Sequence, residues 1–158
     1  MTSETSQKTN SSAETQRFAQ KLAPQLQGQN IFLFGALGVG KTTFVRGLAR
    51  AYGLRQPIKS PTFVTALNYQ LREHELLHVD FYRLTKITLA EISHFQEAWL
   101  DPKTTFISEW SERLPQKFLP CPRFEFSFTE NAEQQREILW KKIPGAKRRI
   151  AAQRRICL

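Results

Sequence analysis

Apolar residues recur along this chain in three rhythms, and each rhythm predicts a different element. Phe18, Leu22 and Leu26 lie at helical intervals behind Ser11 and Glu14, which have capping-box spacing, so a first helix is predicted over residues 13–26, bent or shortened by Pro24. Ile31-Phe32-Leu33-Phe34 is a continuous apolar run and reads as a strand. A second helix follows residues 35–40 and runs to about Tyr52, where Gly53 closes it as a C-cap. Pro57 and Pro61 bracket a loop, after which residues 63–69 and 75–80 read as two strands around a polar connection. Leu89, Ile92, Phe95, Trp99 and Leu100 form a helical stripe, and Phe106-Ile107 lie in a short strand ending at Glu109. The clearest alternation is in residues 123–129, where Phe124, Phe126 and Phe128 alternate with polar residues, as in a sheet with one face in the core. Strands interleaved with helices predict an α/β sandwich, and there is no internal repeat.

The 158 residues are enough for one domain with a proper core. Residues 1–10 form a polar leader expected to be disordered, residues 11–140 the domain, and residues 141–158 a basic tail. The net charge of +9 changes meaning once it is located. Seven basic residues and no acidic ones lie from Lys141 onward, leaving 16 basic against 14 acidic residues before them. The charge therefore belongs to the tail, which is offered as a contact for tRNA or an acidic partner, or as a solvated segment. No apolar run approaches the ~20 residues of a membrane span, and residues 1–12 lack the apolar stretch of a secretory signal, so a cytoplasmic protein without a membrane partner is expected. Cys121 and Cys157 lie far apart without a redox motif and read as ordinary thiols.

The chemistry lies in residues 35–42. Gly35-Ala36-Leu37-Gly38-Val39-Gly40-Lys41-Thr42 fits the phosphate-binding loop G-x-x-x-x-G-K-[ST] directly after an apolar strand. Its glycines let successive N–H groups turn inward on a phosphate, and the helix beginning near Lys41 aims its positive end at the same anion. Lys41 is placed to reach the β- and γ-phosphates and Thr42 to offer a hydroxyl to Mg²⁺; Thr43 adds a second hydroxyl. A nucleoside triphosphatase also needs a carboxylate near the metal, and Asp80 and Glu109, each at a predicted strand end, are the candidates.

The ordered set Leu37-Gly38-Val39-Gly40-Lys41-Thr42-Thr43-Phe44, Ser60-Pro61-Thr62-Phe63, His78-Val79-Asp80-Phe81-Tyr82-Arg83 and Glu109-Trp110 resembles the TsaE-type (YjeE-type) P-loop ATPases of bacterial tRNA threonylcarbamoyladenosine biosynthesis, over about residues 11–140. The resemblance implies a P-loop NTPase-like three-layer sandwich with a central, largely parallel sheet and an additional antiparallel portion. It implies ATP and Mg²⁺ as cofactors, Lys41, Asp80 and Glu109 as catalytic residues, and Thr42 and Glu109 on the metal. It implies nucleotide contacts from Thr15, Leu37, Gly38, Val39, Gly40, Lys41, Thr42, Thr43, Ser60, Thr62 and Trp110, with Thr15 on the adenine side and Ser60 and Thr62 near the γ-phosphate. The activity implied is ATP hydrolysis that resets a threonylcarbamoyl-transfer complex, with TsaB- and TsaD-type proteins as partners. Ala36 stands where the family usually carries an acid, and Ser111 where proline is common after the Glu109-Trp110 pair.

Two rival chemistries stand beside this one. His74-Glu75-Leu76-Leu77-His78 matches the zinc-hydrolase pattern H-E-x-x-H, which needs a helix, whereas these residues lead into a predicted strand. A small-molecule kinase would use the same phosphate loop and strand-end acids. An RNA-binding module without catalysis would rest on the tail alone.

Overall fold

A computed structural model describes residues 4–61, 66–84 and 87–145. Among these residues the chain runs β1 (Thr5–Thr9), α1 (Ser12–Leu26), β2 (Asn30–Phe34), α2 (Lys41–Ala51), β3 (Ala66–Gln70), β4 (Glu75–Asp80), α3 (Leu89–Leu100), β5 (Thr104–Glu109), β6 (Arg123–Glu130) and β7 (Arg136–Ile143). All the strands join one sheet in the order β1-β7-β6-β2-β5-β4-β3. Its centre, β6-β2-β5-β4, is parallel, while the pairings β6–β7 and β7–β1 at one side and β4–β3 at the other are antiparallel. This is the expected α/β sandwich with a largely parallel sheet and an antiparallel portion.

Parallel strands are stable when helices cover both faces, and the alternation along β2 and β5 shows how this sequence does so. Ile31, Leu33 and Ile107 are buried with α1 and α2, joined there by Phe124, Phe126 and Phe128 of β6. Phe32 and Phe106, their chain neighbours, are buried on the opposite face with Ile92 and Trp99 of α3. Gly47 brings α1 against α2, since a Cβ there would lie 2.5 Å from the Gln16 carbonyl oxygen.

Local signals act mostly as expected. Ser11 caps α1 by accepting from the Glu14 N–H at 3.2 Å, but the Glu14 carboxylate accepts from Asn10 N rather than from Ser11, which shifts the return bond by one residue. Pro24 does not shorten α1, because Leu22, Ala23 and Leu26 anchor the last turn in the core. Gly53, at φ +83°, follows α2 as its expected stop. Leu100, placed in the stripe of α3, is instead exposed at the end of the helix.

The two ends of the chain correct the expected boundaries. The polar leader is not disordered throughout: Thr5–Thr9 pairs antiparallel with β7, because an edge strand needs only backbone partners and its outward side chains stay polar. The domain also continues past residue 140. Lys141 and Lys142 belong to β7, where Lys141 Nζ lies 3.5 Å from Glu125 and Lys142 sits over the Phe124 ring. The remaining basic residues of the proposed tail lie outside the described residues. Cys121 is disulfide-bonded rather than an ordinary thiol, and Cys157 lies outside the described residues. No helix among the described residues is long and apolar enough to cross a membrane.

Candidate nucleotide site

The carboxyl ends of β2, β4 and β5 lie at one edge of the sheet, where an open α/β fold gathers its ligand groups. The register sets Asp80 beside Glu109. Strand alternation then turns His78 and Asp80 of β4, like Ile107 and Glu109 of β5, toward the face that carries α2.

Residues 35–40 connect β2 to α2. Gly35 adopts φ +131° and passes so close to β6 that a Cβ would lie 2.4 Å from the Phe128 carbonyl oxygen, so only glycine fits. Gly40, at φ +104°, caps α2 with no side-chain bond of its own and leaves the first amides of the helix at the cleft. Lys41 is 4% exposed. Its ammonium folds back to donate to the carbonyls of Gly35 and Ala36 and lies 4.3 Å from the centroid of the Trp110 ring. Burial pushes this ammonium below the ordinary lysine range, against the opposite pull of Glu109, Glu112 and Asp80.

Thr42 Oγ1 donates to the Glu109 carboxylate, 2.8 Å from one oxygen and 2.9 Å from the other. Glu109 Oε1 is also 2.8 Å from His78 Nε2, and both residues are buried. Asp80 accepts from Tyr82 N at 2.7 Å and lies 3.5 Å from the Ser60 hydroxyl. Trp110 packs against Tyr82 with ring centroids 4.9 Å apart and planes tilted by 45°, and Arg113 lies over both rings. Its φ of 58° is strained for a bulky side chain and is held by these contacts.

Leu37, Gly38, Gly40, Lys41, Thr42, Thr43, Ser60, Asp80, Glu109 and Trp110 thus line one cleft of about 170 Å³, together with Tyr82. Val39 is buried in the core beneath the loop. Thr15 is fully buried and stands apart from the cleft, its hydroxyl 2.9 Å from that of Thr9 and 3.2 Å from the Ser11 carbonyl oxygen. Its methyl still approaches Gly40. Thr62 lies outside the described residues. A larger open cleft of about 1130 Å³ lies between the end of α2 and the β3–β4 turn, but contains none of the expected site residues.

Two neighbours escaped the sequence reading. His78 was visible only as part of a motif, and its contact with Glu109 depends on β4 and β5 being adjacent. Arg136 packs its side chain over Gly40, with a buried Nε that has no partner among the described residues and an Nη2 3.6 Å from Glu130. No local signal marks it, because it arrives on β7, a strand whose uneven alternation went unread.

The zinc-hydrolase alternative fails on geometry. His78 lies within β4 and His74 ends the turn before it, so the two do not meet across one helical turn. Among the described residues no group of three or more His, Cys, Asp or Glu could hold a metal. The oxygen donors of Thr42 and Glu109 do fit Mg²⁺, which is usually held by one or two carboxylates together with substrate phosphates and water.

The family model described as "Threonylcarbamoyl adenosine biosynthesis protein TsaE" matches residues 9–138. The tRNA threonylcarbamoyladenosine biosynthesis protein TsaE of Synechocystis sp. is 40% identical over 106 residues, 65% of this chain and 67% of that protein. Its Treponema pallidum counterpart is 37% identical over 112 residues, 71% of this chain and 81% of that protein. The crystal structure of Bacillus subtilis YdiB superposes with a TM-score of 0.71 at 25% identity, covering 90% of this chain and 87% of that one. With the phosphate loop, the sheet and the strand-end acids in place, the chain belongs to the TsaE family of tRNA threonylcarbamoyladenosine biosynthesis proteins.

Proposed function

We propose that this protein binds ATP with Mg²⁺ and hydrolyses it in the cytoplasm, in concert with TsaB- and TsaD-type partners of threonylcarbamoyl transfer to tRNA. One observation carries the reading: the hydroxyl of the phosphate loop meets the strand-end carboxylate 67 residues away, bringing together the two groups that a nucleotide-bound Mg²⁺ requires. The cleft is smaller than the ~300–1,000 Å³ of typical small-molecule pockets, which suits it to the phosphate end of a nucleotide.

In this reading the loop amides and the start of α2 hold the phosphates, and Lys41 exchanges its bonds to the Gly35 and Ala36 carbonyls for phosphate oxygens. Thr42 and Glu109 would hold Mg²⁺, which when bound neutralises charge on the β- and γ-phosphates. Asp80 orients the attacking water, and Ser60, Thr43 and Trp110 border the γ-phosphate. Thr15 and Arg136 flank the loop on the side left for ribose and base. Thr62 and the basic residues beyond 145 keep their expected roles, near the γ-phosphate and against tRNA, as part of the proposal.

Product analysis separates this reading from a kinase. Free phosphate is expected from ATP and Mg²⁺ without a small-molecule acceptor, at a rate that Thr42→Ala and Asp80→Asn each lower at least tenfold. Glu109→Gln is expected to displace the Mg²⁺ dependence further than Asp80→Asn does. Phosphate transfer seen only with an added acceptor would establish the kinase instead.

A further inference from the structure

Glu109 is a carboxylate 3% exposed to solvent, and a buried charge of this kind requires hydrogen-bond donors. Its recorded donors among the described residues are Thr42 Oγ1 and His78 Nε2. They differ in one respect. The Thr42 hydroxyl lies on the phosphate loop and is the group that a nucleotide-bound cation would take, whereas His78 is fully buried in β4, opposite Ile107 of β5, and reaches Glu109 diagonally across the pairing. An ionised carboxylate only accepts, so Nε2 carries the proton of this bond. The other ring nitrogen, Nδ1, is buried without a partner among the described residues, where the polar contact of the imidazole is its bond to Glu109. A ring whose purpose was packing alone would be better served by an apolar side chain, like its neighbours Leu76 and Val79.

We propose that His78 is the positioning residue of the metal-side carboxylate: its Nε2–H holds Glu109 Oε1 in place while the Thr42 hydroxyl turns from Glu109 to the divalent cation. This rests on the Mg²⁺-nucleotide reading of the cleft. His78 touches neither nucleotide nor metal. It acts through Glu109, as hydrogen-bond partners of metal-binding carboxylates generally do.

The test measures thermal stabilisation of the full chain by ADP, first in EDTA and then with Mg²⁺ titrated in. His78→Leu is expected to keep the stabilisation by ADP in EDTA and to raise the Mg²⁺ concentration of the half-maximal further shift by about 10- to 100-fold, the usual effect of losing such a partner. His78→Gln, whose amide reaches Oε1 from nearly the same place as Nε2, is expected to return the midpoint to within about threefold of the parent. If the Leu variant does not fold, His78→Asn, with a donor too short to reach, replaces it with the same expected displacement. A parent-like Mg²⁺ midpoint in the Leu or Asn variant overturns the proposal. So does a Gln variant that loses ADP binding in EDTA, because His78 would then support the loop as a whole. A parent protein that ADP stabilises under neither condition instead removes the nucleotide reading, and this inference with it.

Discussion

Toward α3 the sheet buries Phe32, Val79, Phe81 and Phe106 against Ile92 and Trp99, whereas toward α2 it buries His78, Asp80 and Glu109 beside Lys41 and above an apolar floor. On the first face the rings of Phe32, Phe95 and Trp99 surround Phe106, each with its centroid 5.7 Å away, and burial of the three phenylalanine rings needs no polar partner. On the second, each charged group depends on a named partner: Lys41 on two loop carbonyls, Glu109 on Thr42 and His78, and Asp80 on the Tyr82 amide. The difference teaches that one sheet divides its labour. The α3 face supplies stability, which lets the edge of the other face hold partly desolvated charges.

The sharpest way to break this comparison is on the apolar side. Phe106→Ala is expected to lower unfolding free energy by about 3–5 kcal/mol in chemical denaturation, while each molecule that remains folded keeps its affinity for ATP. Loss of affinity in the folded population would mean that the α3 face shapes the site.

A smaller effect sharpens the comparison on the other face, at the end of α2 remote from the loop. The Tyr52 hydroxyl donates to the Ala23 carbonyl at 3.1 Å, and burial pushes its ionisation well above the ordinary phenol range, against a weaker opposite pull from the Thr105 hydroxyl. The folded protein therefore holds this proton where the unfolded chain releases it, so stability falls as pH rises above about 10. Lys41, with its lowered value, acts in the opposite sense in alkaline solution: the unfolded chain retains the lysine proton that the folded chain loses. Subtracting the alkaline stability profile of Tyr52→Phe from that of the parent isolates the phenol, and the difference is expected to decline above pH about 10. A flat difference would show that Tyr52 titrates as it does in the unfolded chain.

The elements most legible in the sequence were those whose burial has a simple period. The alternation of Phe124, Phe126 and Phe128 and the apolar run before the loop foretold β6 and β2, and Gly53 marked the end of α2. β1 was hidden because Thr5–Thr9 is polar and buries mainly Thr9, and β7 because Leu139 and Lys142 interrupt its alternation. The same rule holds in the site. The phosphate loop is local and could be read from spacing, and the strand-end acids from the apolar residues before them. The His78–Glu109 bond and the approach of Arg136 to Gly40 come from strands that meet only after folding, and no local pattern records them.

The central claim, that the polar edge of the α2 face is a nucleotide site held by a fold that does not depend on it, is tested most directly by calorimetric titration of ATP into the parent protein and Lys41→Ala, with thermal unfolding of both. The account predicts one ATP site per chain in the parent and at least tenfold weaker binding in the variant, the scale of a lost charge-assisted contact, with both proteins unfolding as cooperatively as each other. Equal affinity in the two proteins, or a Lys41→Ala chain that no longer folds, would contradict it.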